Sequence, residues 1–149
     1  MDKKCKQQVD ELNILWHRMI VESNYKDIEA KYPNIQGLST NELAIIRIIT
    51  EKEEVIIKDI LEILNIPKST LSSMIDRLEN RNIIIRVISK RDRRSYKLEL
   101  TEKGRIAQGE HIKFEEELYS KIIISLDTYE ERENFLKLIR KIVSNVSNR

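Results

Sequence analysis

"IPKSTLSSMIDRLENRNIIIRVISKRDRRSYKLELTEKG", residues 66–104, changes its apolar period midway, and that change decides the fold. From Pro67 to about Arg81, Leu71, Met74, Ile75 and Leu78 share one helical face. Ser69, Ser72, Ser73, Asp76 and Arg77 fall on or near the other. After Asn82 the period drops to two. Ile83, Ile85 and Val87 alternate with Ile84, Arg86 and Ile88, and across a charged tip Tyr96, Leu98 and Leu100 alternate with Lys97 and Glu99. The stretch reads as a helix followed by a two-stranded hairpin.

Upstream, Lys58 to Leu64 predicts a short helix with Ile60, Leu61 and Leu64 inward. Asn65 suits the left-handed residue that closes it, and Pro67 suits the first turn of the next helix, where a missing N–H costs nothing. Together these make a helix-turn-helix. Val55-Ile56-Ile57 predicts a minimal strand. Ser39 and Glu42 have the spacing of a capping box for a helix reaching about Lys52. Val9, Leu12, Trp16, Met19 and Ile20 predict one amphipathic helix over about 5–30, ended by Tyr32-Pro33 and Gly37. Downstream, Thr101-Glu102 opens a helix in which Phe114, Leu118, Ile122 and Leu126 step by four. A last helix begins near Thr128 with Phe135, Leu138, Ile139, Ile142 and Val146 on one stripe. The expected fold class is mainly α with a small β-hairpin wing.

The composition agrees. Of 149 residues 35% are charged and 5% aromatic, with three Gly and two Pro, which favours long helices and short connections. The net charge of +2 conceals a pole: residues 67–105 hold eleven basic and five acidic residues, so the rest of the chain is net acidic. The single cysteine, Cys5, excludes an intrachain disulfide, and no apolar run approaches the roughly 18 residues of a membrane span. The start "MDKKCKQQVDEL" lacks the apolar core of a signal peptide, so a cytoplasmic protein with no membrane partner is expected. No phosphate-cradling Gly loop, HExxH, GxSxG or CxxC is present, which argues against an enzyme. The two histidines, His17 and His111, are not at metal-ligand spacing with Cys5 or each other, so neither metal nor cofactor is expected.

A helix that enters the major groove needs small polar residues at its leading end and cations for phosphates. Lys68, Ser69, Thr70, Ser72, Ser73 and Arg77 meet that need, although a solvated helix face has the same look. The hairpin tip tips the balance toward double-stranded DNA. Lys90, Arg91, Arg93 and Arg94 place four cations within five positions, where they repel one another unless something anionic is near. Arginine also suits a narrow minor groove. Asp92 among them either caps the turn's N–H groups or pairs with a neighbouring arginine. Lys97, on the returning strand, is expected at a phosphate.

The order of helix-turn-helix, "IDRLENRNIIIR", tip "DRR" and "LELTEKG" resembles the MarR (multiple antibiotic resistance regulator) family of winged-helix transcription factors, densest over Leu38 to Gly104. The resemblance implies a DNA-binding regulator, expected to be a repressor, that binds a pseudo-palindrome as a homodimer. The implied organisation is an N-terminal dimerisation helix over 1–37, a winged helix over 38–104 and C-terminal dimerisation helices over 105–149. A winged helix of about 65 residues could not bury the apolar stripes of the flanking helices alone, which independently favours a dimer. By the same resemblance Arg94 is the minor-groove arginine and Asp92 the acidic residue that orients it, with Arg93 sharing either role. Two departures stand out: Ser73 where many members are basic, and Asn82 where Gly is common.

The resemblance also implies release by a small molecule bound between the dimer helices and the winged helix. Trp16, His17, Ile20 and Tyr25 are the candidate lining, with interface core the competing reading of Trp16. Some relatives sense oxidants through a first-helix cysteine. Cys5, among Lys3, Lys4 and Lys6, is therefore a candidate redox site, though fraying at the terminus would uncouple it. A winged helix that binds an acidic protein surface in place of DNA is the remaining alternative.

Overall fold

The computed structural model describes residues 2–147. The elements run α1 (Lys3–Glu22), α2 (Tyr25–Glu29), α3 (Thr40–Glu51), α4 (Ile57–Leu64), α5 (Lys68–Asn80), β1 (Ile84–Ile88), β2 (Tyr96–Leu100), α6 (Glu102–Ile124) and α7 (Tyr129–Ser147). They divide into two compact units. One is Lys26–Phe114; the other combines the chain up to Tyr25 with the chain from Glu115 onward.

The 26–114 unit is a winged helix, built from local signals. Ser39 caps α3 reciprocally with Glu42, whose carboxylate accepts from the Ser39 N–H at 2.8 Å. Asn65 closes α4 at φ +48°, and Asn82 leads from α5 into β1 at φ +57°. Pro67 is the N-cap of α5, one position before the first turn where it was expected. β1 and β2 pair antiparallel, Ile84 opposite Leu100 and Ile88 opposite Tyr96. The strand expected at 55–57 is a single bridge, Ile56 to Lys97, because Ile57 already belongs to α4. Ile45, Ile46, Ile60, Leu71, Ile75, Leu78, Ile83 and Ile84 are fully buried and form the core.

Gly104 secures the start of α6. A Cβ there would lie 2.0 Å from the Ile83 carbonyl oxygen, so only glycine lets the helix pass this close to the hairpin root. Thr101 completes the joint, its hydroxyl donating to the Asn82 carbonyl at 2.7 Å and accepting from the Gly104 N–H at 3.0 Å.

The helix expected over 5–30 is broken. Asn24 takes a left-handed conformation at φ +54°, and the Ser23 hydroxyl turns back to the Ile20 carbonyl at 2.8 Å, so α1 ends at Glu22. The apolar period continues across this break, which is why periodicity alone runs the two helices together. Within the terminal unit, α1 buries no residue and neither does α7 among its described side chains. Val9, Leu12, Trp16 and Ile20 on α1 stay exposed, as do Leu138, Ile142 and Val146 on α7. Among the described residues no helix is long and apolar enough to cross a membrane.

Candidate nucleic-acid interface

Helix α5 is fixed by Leu71, Met74, Ile75 and Leu78, all buried, so the opposite face must point outward. Lys68, Ser69, Thr70 and Ser73 are exposed there and Ser72 is half-buried. Arg77 is exposed at its edge but not free: its Nε donates to the Glu42 carboxylate of α3 at 2.8 Å. Burial pushes the Glu42 carboxyl up, but the Ser39 N–H, the Arg77 guanidinium and the Ser39 hydroxyl together outweigh it. Glu42 stays below the ordinary glutamate value.

The hairpin is bolted to this helix and to the turn before α4. Arg86 of β1 pairs with both Asp76 and Glu79 of α5. Arg91 at the edge of the tip donates to Asp59 of α4 at 2.8 Å. That hydrogen bond is the main reason the Asp59 carboxyl is held low and the Arg91 guanidinium is raised. Lys97 of β2 lies between Glu54 and Glu99, 2.7 Å from each. Hydrogen bonding to Glu54 is the largest cause of its raised pKa. Its side chain is 16% exposed. Lys97, expected at a phosphate, thus has its charge balanced by two carboxylates at the hairpin root.

The tip itself is ordered by its own side chains. The buried Ser89 hydroxyl accepts from the Arg91 N–H at 3.1 Å and the Asp92 N–H at 3.3 Å. Asp92 accepts from the Ser95 hydroxyl at 2.7 Å and the Arg94 N–H at 3.0 Å, which together hold its carboxyl low. Of the two roles open to Asp92, the geometry gives the turn cap. Among the described residues Lys90, Arg93 and Arg94 have no ion-pair partner, so these three carry the unbalanced charge of the wing.

Ser89, Glu54, Asp59 and Arg86 do structural work that sequence reading missed. Asp59 alone had a local signal: three residues beyond Ile56, it accepts the Ile56 N–H at 3.1 Å, as a residue at that place in a capping box does. In the terminal unit, a cavity of about 410 Å³ is lined by Leu15, Arg18, Met19, Glu22, Ser23, Lys121, Ile122 and Ser125. Trp16, His17, Ile20 and Tyr25 are not among them. Trp16 and Ile20 face outward, Tyr25 is also exposed, and the His17 Nδ1 bonds the Asn13 carbonyl at 2.8 Å. The helical face holding Trp16 and Ile20 differs from the one holding Leu15 and Met19, so this cavity is a different place from the expected pocket. Cys5 is exposed in the first turn of α1, its N–H donating to Asp2 at 2.7 Å. No group of three metal-ligating side chains is assembled among the described residues.

The MarR family model matches residues 38–96, the segment holding the helix-turn-helix and most of the hairpin. Among solved structures, the chain is similar to Streptococcus pneumoniae FabT in complex with DNA, at 24% identity and a TM-score of 0.74, covering 96% of this chain and 98% of that one. It is also similar to the YusO protein of Bacillus subtilis, at 21% identity and 0.70, covering 97% and 99%. A third likeness is to Bordetella bronchiseptica BpsR, at 20% identity and 0.63, covering 89% and 92%; its structure was described for regulation of DNA binding by 6-hydroxynicotinic acid. No curated protein matches the chain in sequence.

Proposed function

We propose that this chain, whose residues 38–96 match the MarR family model, binds duplex DNA as a homodimer and represses transcription until a small molecule releases it. The observation that carries the reading is the division of charge in the wing. Arg86 and Lys97 at its root and Arg91 at the edge of its tip are neutralised by carboxylates, whereas Lys90, Arg93 and Arg94 at its tip are left unbalanced. A hairpin that needed charge only to stay dissolved would gain nothing from that sorting; one that straddles a phosphate backbone needs it. Helix α5 is the element offered to the major groove, with Lys68, Ser69, Thr70, Ser72 and Ser73 foremost, and Arg94 the side chain offered to the minor groove.

Two further features support the reading. The apolar stripes of α1 and α7 are what a symmetric partner would cover. FabT, crystallised with DNA, and BpsR, regulated by an aromatic acid, have folds that this chain shares over most of its length. The protein acts as a regulator, with no catalytic step assigned to it.

The test is selection of bound duplexes from a random pool. The expected product is an inverted repeat with half-sites about one helical turn apart, bound with an affinity that falls linearly in log–log terms as salt rises. Failure to enrich any duplex in dilute buffer would leave the acidic-protein partner as the better reading.

A further inference from the structure

The chain turns between α3 and α4 at Glu54, a residue with φ +52°, a conformation L side chains rarely adopt outside glycine and asparagine. Its carboxylate explains what that backbone position achieves. One oxygen accepts from Lys97 Nζ at 2.7 Å. The other accepts from the Lys90 N–H at 3.1 Å and the Ser89 hydroxyl at 3.3 Å. A single side chain thus grips both strands of the hairpin, one just before the tip and one just after it. Next to it, β2 is tied to the same turn by the Leu98 N–H, which donates to the Val55 carbonyl at 3.1 Å. Ser89 in turn holds the N–H groups of Arg91 and Asp92. The grip therefore continues into the loop that carries Arg93 and Arg94.

We propose that Glu54 is a positioning residue for the wing: from the turn after α3 its carboxylate sets the direction of the tip, so that Lys90, Arg93 and Arg94 meet the duplex already aimed. The proposal rests on the DNA-binding reading above. Aiming matters because a hairpin anchored only at its root swings, and ordering its tip on binding subtracts from affinity. Glu54 touches no base or phosphate in this scheme. It acts through the three tip cations, and that dependence is what an experiment can isolate.

The experiment is a double-mutant cycle with a duplex enriched by the wild-type protein, read by fluorescence anisotropy, with melting temperature followed in parallel. Glu54→Ala and Glu54→Gly are made in the wild type and in a Lys90→Ala/Arg93→Ala/Arg94→Ala background. Glycine takes the left-handed conformation without steric cost, so that variant keeps the turn when alanine strains it. In the wild type, both changes are expected to weaken binding roughly tenfold, about the worth of one charge-assisted hydrogen bond. In the tip-less background they should change it less than twofold, as a residue acting through the tip requires by about the additivity limit. Hydrogen exchange at residues 89–95 should speed up in Glu54→Gly while the α5 core stays protected. An equal loss in both backgrounds, or unchanged affinity in a folded Glu54→Gly protein, overturns the proposal. Undiminished binding by Lys90→Ala/Arg93→Ala/Arg94→Ala itself would instead overturn the DNA-binding role of the wing, a different failure with a different signature.

Discussion

Arg77 of the outward-facing helix α5 donates its Nε–H to the Glu42 carboxylate of α3 at 2.8 Å, and Glu42 is 3% exposed. A residue expected on the DNA face is therefore also a brace between the two helices. Arg77→Ala should lower unfolding free energy by about 1 kcal/mol, at the low end for a charged hydrogen bond because the guanidinium is itself half exposed. Glu42→Ala should cost more, about 2 kcal/mol, since it also removes the reciprocal cap on Ser39. Urea unfolding of the two variants gives the ordering, and a larger loss for Arg77→Ala than for Glu42→Ala would contradict it.

Acid should act on the same brace. The Glu42 carboxyl is held below its ordinary value of 4.5, the Ser39 and Arg77 hydrogen bonds outweighing burial, so it binds fewer protons folded than unfolded around that pH. Its contribution is fully present above pH 4.5 and is lost as pH falls through the lower folded value. Asp59, held low chiefly by the Arg91 hydrogen bond, acts in the same direction from its ordinary value of 3.8. Stability measured by urea titration should decline below pH 4.5, and Glu42→Gln should make that decline shallower. An identical pH profile for wild type and Glu42→Gln would remove Glu42 from the linkage.

Local chemistry made much of this fold legible from residues alone. Asn65, Asn82 and the Ser39–Glu42 box act within four positions of themselves, so their roles can be read without tertiary information. The sorting of charge could not be. Glu54 and Lys97 are 43 positions apart, and Asp59 and Arg91 are 32 apart. A run of cations shows that a charged tip exists, but not which members are neutralised. The break at Asn24 was hidden for a different reason: the apolar period of α1 carries on past it, and an asparagine within a helical pattern is a weaker stop than glycine or proline.

Two glycines five positions apart, Gly104 and Gly109, make a controlled comparison within α6. At Gly104 an added Cβ meets the Ile83 carbonyl oxygen at 2.0 Å, a backbone atom with little room to yield. At Gly109 it meets nothing within 4 Å. Gly104→Ala should destabilise by at least about 2 kcal/mol through overpacking, whereas Gly109→Ala should stabilise by about 1 kcal/mol through helix propensity. Denaturant midpoints of opposite sign are the expected outcome; stabilisation by Gly104→Ala would mean that α6 does not pass the hairpin root this closely.

Arg94 and Lys97 stand three positions apart in the wing but differ in what balances their charge. Arg94 has no ion-pair partner among the described residues, while Lys97 is flanked by Glu54 and Glu99. Arg94→Ala should weaken binding of the enriched duplex by about 1–3 kcal/mol if the side chain makes a groove contact. Lys97→Met should leave the slope of log affinity against log salt unchanged, because Lys97 releases no phosphate counterion. A slope reduced by about one in Lys97→Met would restore it to the phosphate-contacting set.

Ile142 tests whether two winged helices must be joined. It lies between Leu138 and Val146 on a stripe of α7 that leaves all three exposed, and a carboxylate there would be buried without a partner in any symmetric interface using that stripe. Ile142→Glu should sediment as a monomer at micromolar concentration while keeping its helical content. Its affinity for a two-half-site duplex should fall by about a hundredfold or more, since the second half-site is then no longer reached at high effective concentration. Affinity for a single half-site should stay within about twofold, because the wing and α5 belong to the separate 26–114 unit. That contrast separates loss of pairing from damage to the DNA-facing surface, and a dimeric Ile142→Glu protein would assign the interface to some other face.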